Sequence, residues 1–343
     1  MADQTKVDLG WSRRKRFGVK LLLICVSLSV GLACAEIALR VAGFTFITFY
    51  TTDPDRGYAP QPGLEGWYRA EGGSYVRINR DGLRDREHAK QKPPNTFRIA
   101  LLGDSYAEAL QVPLEDAFWH LLEARLRTCP ALAGRDVEVI NFGVSGYGTA
   151  QELITLRSKV WDYSPDLVLL AFTTNNDVTD NSRALKRSDE VPYFYYRDGR
   201  LALDDSFRST RTYRARQTAL DRVGVWIKRH SRVVQALHLT QYALKQSLTR
   251  WRARRAAAAQ QQSATRQPSQ QQPAQPQSAQ QQQAGARQPA DGATPTAEEL
   301  IARSGEIGID NLVYREPLDD TWREAWRVTE GLVVEMRNEV EGH

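Results

Sequence analysis

Three apolar runs alternate with two helical patterns between Thr96 and Phe172, and that alternation restricts the fold more than any other feature of the chain. The runs are FRIALL (Phe97–Leu102), DVEVINF (Asp136–Phe142) and PDLVLLAF (Pro165–Phe172). Between them, LEDAFWHLLEARL (Leu114–Leu126) repeats its apolar residues at helical spacing, and TAQELITLRSKVWDY (Thr149–Tyr163) reads as a second helix. A strand that is apolar throughout, as PDLVLLAF is, belongs in a sheet covered on both sides. Alternation with helices predicts the α/β class: a doubly wound, flavodoxin-like parallel sheet with helices on both faces. In such a sheet the C-terminal strand ends share one edge, where binding and catalytic groups collect.

Each strand is succeeded by a distinctive block. After the first comes Gly103-Asp104-Ser105; after the second NFGVSGYG, with Gly143, Gly146 and Gly148; after the third TTNND, with Asn175, Asn176 and Asp177. Taken singly, each has an ordinary structural use. Asp104 and Ser105 suit a helix N-cap, Gly146 a tight turn, and Asn176-Asp177 a capping pair. Taken together, a hydroxyl, a glycine-rich turn and a carboxamide converge on one edge. Acyl transfer needs such a set, a nucleophilic oxygen plus N–H donors aimed where an oxyanion develops. Asp104 reads as a supporting hydrogen-bonder beside the serine. With three cysteines, two of them in the N-terminal apolar segment, the chain has no disulfide framework and no Cys/His metal spacing. Neither a metal nor a cofactor is expected.

The blocks GDSY (103–106), NFGVSGYG (141–148) and TNND (174–177), in this order and strand context, resemble the SGNH/GDSL hydrolase superfamily. The resemblance is close from Arg98 to Asn181 and looser at 51–94 and after Asp319. It implies Ser105 as nucleophile, with its own backbone N–H in the oxyanion hole. It also implies Gly146 as a donor through its backbone N–H and Asn176 as a donor through its side chain. Thr174 stands where the family's third block usually begins with glycine. The family's last block, Asp-x-x-His near the C-terminus, supplies the base and its orienting acid, and no Asp-x-x-His is expected anywhere in this chain. None of the five histidines, His88, His120, His230, His238 and His343, has the context of a general base. The C-terminal DTWREAWRVTEGLVVEMRNEVEGH predicts an amphipathic helix over Asp320–Val340 with Gly342 as its C-cap, after which the fold would call for another strand. The expectation is an exported SGNH-type serine esterase, catalytically impaired as written. The alternative is a non-catalytic envelope binding or interaction protein on a truncated hydrolase-like scaffold.

The N-terminus directs the chain to a membrane. Arg13, Arg14, Lys15 and Arg16 precede LLLICVSLSVGLACA (Leu21–Ala35). Residues 1–16 then form a basic cytoplasmic end and 17–38 a transmembrane signal anchor. A cleaved signal peptide ending at Ala35, with Ala33-Cys34-Ala35 as its site, is the alternative. Either leaves the main domain periplasmic or extracellular. The remaining divisions are an N-terminal extension at 51–95, the α/β core at 96–206, a basic amphipathic helical insertion at 207–255, a Gln/Ala/Pro-rich disordered linker at 256–297, and a C-terminal helical part of the core at 298–343. Asp198-Gly199 marks a hairpin within the core's last third. In the insertion, Leu220, Val223, Ile227, Val234, Leu237, Leu244, Leu248 and Trp251 recur at helical spacing, with a break near His230-Ser231. Arg208–Arg255 carries thirteen Lys/Arg against one acid, Asp221, in a chain of net charge +5. That face suits anionic lipid headgroups or an acidic polymer; a solvated face on a helix packed to the domain is the plainer reading. Nucleic acid is not an expected partner, because export removes it. The expected substrate is an ester, an acylated envelope polysaccharide among the candidates, on family analogy and location alone.

Overall fold

The computed structural model describes residues 13–69, 72–174, 176–265, 316–317 and 319–343. Most of the expected disordered linker, Asn175 and the first part of the expected C-terminal division, 298–315, lie outside them. The chain divides into two compact units, one of residues up to Ile47 with Arg222–Gln260, the other of Thr48–Asp221 with Gln261–His343.

In the smaller unit, helix α1 (Arg13–Val41) contains no proline and is free of charged residues from Leu21 to Ala35. Its segment Phe17–Val41 holds an 18-residue window of mean hydropathy 2.3 and is long and apolar enough to cross a membrane; a signal sequence passes the same test.

The larger unit opens with two antiparallel hairpins, β1 (Tyr50–Asp53) with β2 (Gly57–Pro60) and β3 (Glu65–Tyr68) with β4 (Ser74–Arg77). The sheet comes next: β5 (Thr96–Gly103), β6 (Asp136–Asn141) and β7 (Leu167–Ala171), all parallel in the order β6–β5–β7. Register pairs Leu101 with Asn141 and Gly103 with Ala171, so the strands turn out of the sheet at one edge. Four helices cover it: α2 (Ser105–Glu108), α3 (Phe118–Leu126), α4 (Thr149–Ser158) and the C-terminal helix named below.

Side-chain alternation along β5 makes the two cores. Ala100 and Leu102 pack with Ile140, Phe142 and the α4 residues Leu153 and Leu156. Ile99 and Leu101 pack with Ala107, Ala117 and Trp119 on the other face. This is the doubly wound arrangement expected from the alternation. β7 is less enclosed than an apolar run suggests: among the described residues it is an edge strand, and Leu167 is 46% exposed.

Two helices are shorter than the periodicity predicts. Leu114–Leu126 divides into a 3-10 turn (Leu114–Asp116) and α3, because Ala117 is extended at ψ 134. Burial of Ala117 and Trp119, whose indole N–H donates to Ala107 O at 2.9 Å, outweighs local helix preference. After α4 the chain continues as another 3-10 turn, Val160–Tyr163.

The region after β7 holds short helices α5 (Asp177–Asp180) and α6 (Arg183–Lys186), then the hairpin β8 (Tyr193–Arg197) with β9 (Arg200–Asp204). Asp198 at φ 51 and Gly199 at φ 76 form the left-handed pair that a two-residue hairpin turn requires. Helix α7 (Arg211–Arg216) leads to α8 (Ala219–His230) and α9 (Arg232–Thr265), which break at Ser231. α9 runs to Thr265, past the expected start of the linker at 256; alanines at 256–259 favour helix. Helix α10 (Asp320–Glu341) is N-capped by Asp319, whose side chain accepts from Trp322 N–H at 2.9 Å. It lays Val328, Leu332 and Met336 into the core beside α4. Gly342 ends it, but at φ −85, without the left-handed turn expected of a C-terminal glycine.

Candidate active site

The three strand-end blocks meet at the C-terminal edge of the sheet. Asp104 leaves β5 and caps α2, its Oδ1 accepting Tyr106 N–H at 2.9 Å. Ser105 begins α2 and is half-buried. Ser105 and Asn176 line one cavity of about 550 Å³, together with Asp104, Tyr106, Gln111 and Phe118. Asn176 reaches it from the turn after β7. Its backbone carbonyl is taken by Asp180 N–H at 2.7 Å, and its Oδ1 is buried with no hydrogen-bond partner.

Gly146 is not among the cavity's lining residues. Its φ of +75 needs glycine, and a β-carbon there would stand 2.8 Å from the Tyr58 hydroxyl. Its carbonyl accepts from Lys186 Nζ at 2.7 Å. Glu108 anchors the preceding residue: Ser145 N–H donates to Glu108 Oε2 at 2.8 Å, Ser145 Oγ bonds the same oxygen, and Tyr50 OH donates to it at 2.5 Å. Tyr58 OH closes the ring by donating to Ser145 O at 2.8 Å. Burial pushes the Glu108 carboxyl up, and the bonds from Ser145 and Tyr50 oppose that shift. The sequence reading missed Glu108, Tyr50, Tyr58 and Lys186. The one local signal was a glutamate set among small and apolar residues in SYAEAL.

A layer of carboxyl groups accompanies the site. Glu152 on α4 is 1% exposed and neither of its oxygens has a partner. Asp104 Oδ2 and Asp177 Oδ1 are likewise buried and unpartnered. Burial first, then the charges of Asp177, Asp104 and Asp180, push Glu152 well above the usual carboxylate range. Burial also pushes Asp177 up to about 8, with Asp104 and Asp180 adding to the shift. A carboxyl in such surroundings is neutral because ionising it would leave a charge unsolvated beside like charges. Asp177 retains one clear partner, accepting Thr173 N–H at 2.6 Å, and so holds the turn that carries Asn176.

None of the five histidines lines the cavity. His120 sits on α3 with its ring 6.1 Å from that of Trp119, and its Nδ1 is buried without a partner. An Asp-x-x-His spacing does occur once, upstream of the sheet, at Asp85-Arg86-Glu87-His88. This corrects the expectation that the spacing occurs nowhere in the chain. His88 Nε2 lies 3.1 Å from Asp85 Oδ2, with both side chains almost fully buried. The Asp85 carboxylate also accepts Asn141 N–H at 2.9 Å, tying the N-terminal extension to the end of β6. This pair is part of the packing between extension and sheet. Among the described residues no group of His, Cys, Asp and Glu has the arrangement to hold a metal ion.

No protein-family model matches the chain, and no curated protein matches it. Among solved structures the chain is similar to the crystal structure of TesA, at 29% identity over 23% of this chain and 41% of that one, with a TM-score of 0.20. The α/β fold is read from the chain's own strand order.

Proposed function

We propose that the larger unit is an SGNH-type serine hydrolase acting on ester bonds. One observation carries the reading: Ser105 and Asn176, from the ends of different strands, line a single cavity. In this mechanism Ser105 Oγ attacks the ester carbonyl carbon and the carbonyl oxygen becomes an oxyanion. The Ser105 backbone N–H and the Asn176 carboxamide are the donors within the cavity's own residues. Gly146 joins through its N–H when substrate fills the edge between the first two blocks. The alcohol leaves, and water then hydrolyses the acyl-serine. Ser105 needs a base to become a strong nucleophile, and no histidine lines the cavity. Turnover by these residues alone is therefore low, limited to what oxyanion stabilisation and binding supply. The substrate class is an acyl ester, with O-acetyl groups of envelope glycans as the candidate; the apolar N-terminal helix supports a site outside the cytoplasm.

The same missing base favours a second reading, a binding module of the envelope that holds an acylated ligand without cleaving it. A fluorophosphonate, which labels activated serines, separates the two. Labelling of the full chain in detergent, abolished by Ser105→Ala, supports the hydrolase. Asn176→Ala should then slow turnover by about 2.7–4 kcal/mol of barrier. Labelling that persists in Ser105→Ala would sink the assignment, and an unlabelled chain that still retains an acylated glycan would favour the binding module.

A further inference from the structure

The smaller unit contains an arrangement that the hydrolase reading does not use. On α1, Glu36 and Arg40 sit one turn apart and are bridged by a bond of 2.9 Å from Arg40 Nε to Glu36 Oε1. Both side chains also engage the break between α8 and α9. Arg40 Nη2 donates to His230 O, the last carbonyl of α8, at 2.8 Å. The Glu36 carboxylate accepts Arg232 N–H at 2.9 Å, Val233 N–H at 3.0 Å and Ser231 Oγ–H at 3.0 Å. A cation thus takes the C-terminal end of one helix and an anion the N-terminal end of the next, as their unsatisfied backbone groups and dipoles require. Buried Gln235 completes the joint, accepting Phe46 N–H at 3.0 Å and donating to the Lys228 and Arg229 carbonyls at 3.0 and 2.9 Å.

This joint sits near the end of the apolar segment. Glu36 precedes Val41 by five residues, about 7–8 Å at 1.5 Å per residue. A span that ends there places the joint at the acyl–headgroup boundary. The helices it holds expose apolar stripes. Val223, Trp226 and Ile227 are exposed on α8, and Leu237, Leu244 and Leu248 share one exposed face of α9. The segment Arg222–Arg255 carries nine Lys/Arg and no acid. The Arg255 guanidinium lies 4.2 Å from the Trp251 ring centre, a cation beside an interfacial aromatic. In water nothing among the described residues covers these stripes; at a bilayer surface such stripes enter the acyl boundary while the cations meet headgroups.

We propose that α8 and α9 form an arm lying on the surface of an anionic bilayer, clamped to the membrane span by Glu36 and Arg40. The proposal rests on reading Phe17–Val41 as a span, and it commits to anionic phospholipid as the occupant. An acidic polymer would meet the cations but leave the apolar stripes in water.

The test uses the full chain in nanodiscs of phosphatidylcholine, with or without phosphatidylglycerol. A nitroxide is placed at native Cys25, or at Val223→Cys, Leu244→Cys or Glu330→Cys, with the remaining cysteines replaced by serine. Power-saturation EPR compares collisions with oxygen, which concentrates in lipid, against a water-soluble nickel chelate. Oxygen-dominated collisions are expected at Cys25 in both discs, and at Val223 and Leu244 most strongly with phosphatidylglycerol. Nickel-dominated collisions are expected at Glu330. Nickel-dominated collisions at Val223 and Leu244 with Cys25 in lipid would overturn the arm, whereas a water-exposed Cys25 would overturn the span beneath it. Equal immersion in both discs would overturn the headgroup assignment. In Glu36→Ala the Leu244 label should move toward nickel and become more mobile; an unchanged label would overturn the clamp.

Discussion

The two units treat apolar surface in opposite ways. In the α/β unit, alternate residues of β5 divide between two cores, and Leu101 and Leu102 are both 0% exposed. In the helical unit, Leu22, Leu28 and Leu32 on α1 and Leu244 and Leu248 on α9 are each more than half exposed. Carboxylates divide the same way. Glu152, enclosed among other acids and without a hydrogen-bond partner, is pushed toward its neutral form. Glu36, with backbone amides, a serine hydroxyl and an arginine around it, serves as a helix cap. Hydrophobicity alone therefore does not say where a residue goes. A unit that can enclose its apolar residues uses them for stability. A unit built on one long apolar helix and two further helices leaves them exposed.

Substitutions put this contrast at risk. The largest effect belongs to Leu102→Ala, which removes a fully enclosed side chain from the central strand. It should lower the unfolding free energy of the α/β unit by about 2–5 kcal/mol, read from the denaturation midpoint. A loss below about 1 kcal/mol would mean that the two-sided core is not the source of that unit's stability.

Asp177→Asn probes the acid layer. The folded-state value near 8 stands above the ordinary 3.8, so the folded chain keeps a proton that the unfolded chain releases. Stability from this group is therefore present below the ordinary carboxylate range and is lost as pH rises toward about 8. Asparagine mimics the protonated form and can still accept Thr173 N–H. The variant should match the parent near pH 4 and exceed it at pH 8 by on the order of 2 kcal/mol in urea denaturation. Equal stability at both pH values would mean that Asp177 is ionised in the folded protein.

Leu244→Ala should be nearly silent by the same measure. Leu244 is 58% exposed, and its loss should change unfolding free energy by less than about 0.5 kcal/mol. A loss comparable to that of Leu102→Ala would erase the contrast and assign this face of α9 to a protein core.

Much of this was legible in the chain itself. Apolar alternation locates all three sheet strands within a residue or two, because side-chain period derives directly from backbone geometry. The Asp198-Gly199 hairpin and the Ser231 break are local events, written in residues with special backbone preferences. The division of Leu114–Leu126 at Ala117 was not legible, since it answers to the sheet beneath Trp119. Nor was the support of the Gly146 turn, which draws on Tyr50, Tyr58 and Lys186 from both sides of the core in sequence. The trans-capping of α8 and α9 by Glu36 and Arg40 joins residues nearly two hundred positions apart.

Amino-acid order sufficed for the α/β class, the three strand-end blocks and an apolar N-terminal helix of membrane-crossing length. These depend on periodicity, on turn chemistry and on length, all properties of neighbours in the chain. Packing was needed to bring Ser105 and Asn176 to a cavity that Gly146 does not line, and to commit Asp85 and His88 to the seating of the extension. Packing likewise left Glu152 without a partner and made Glu36 a helix cap. Such outcomes turn on which distant residues are brought together and how much water remains between them. Local pattern is silent on both, because burial and hydrogen-bond partnership are set only when the elements pack.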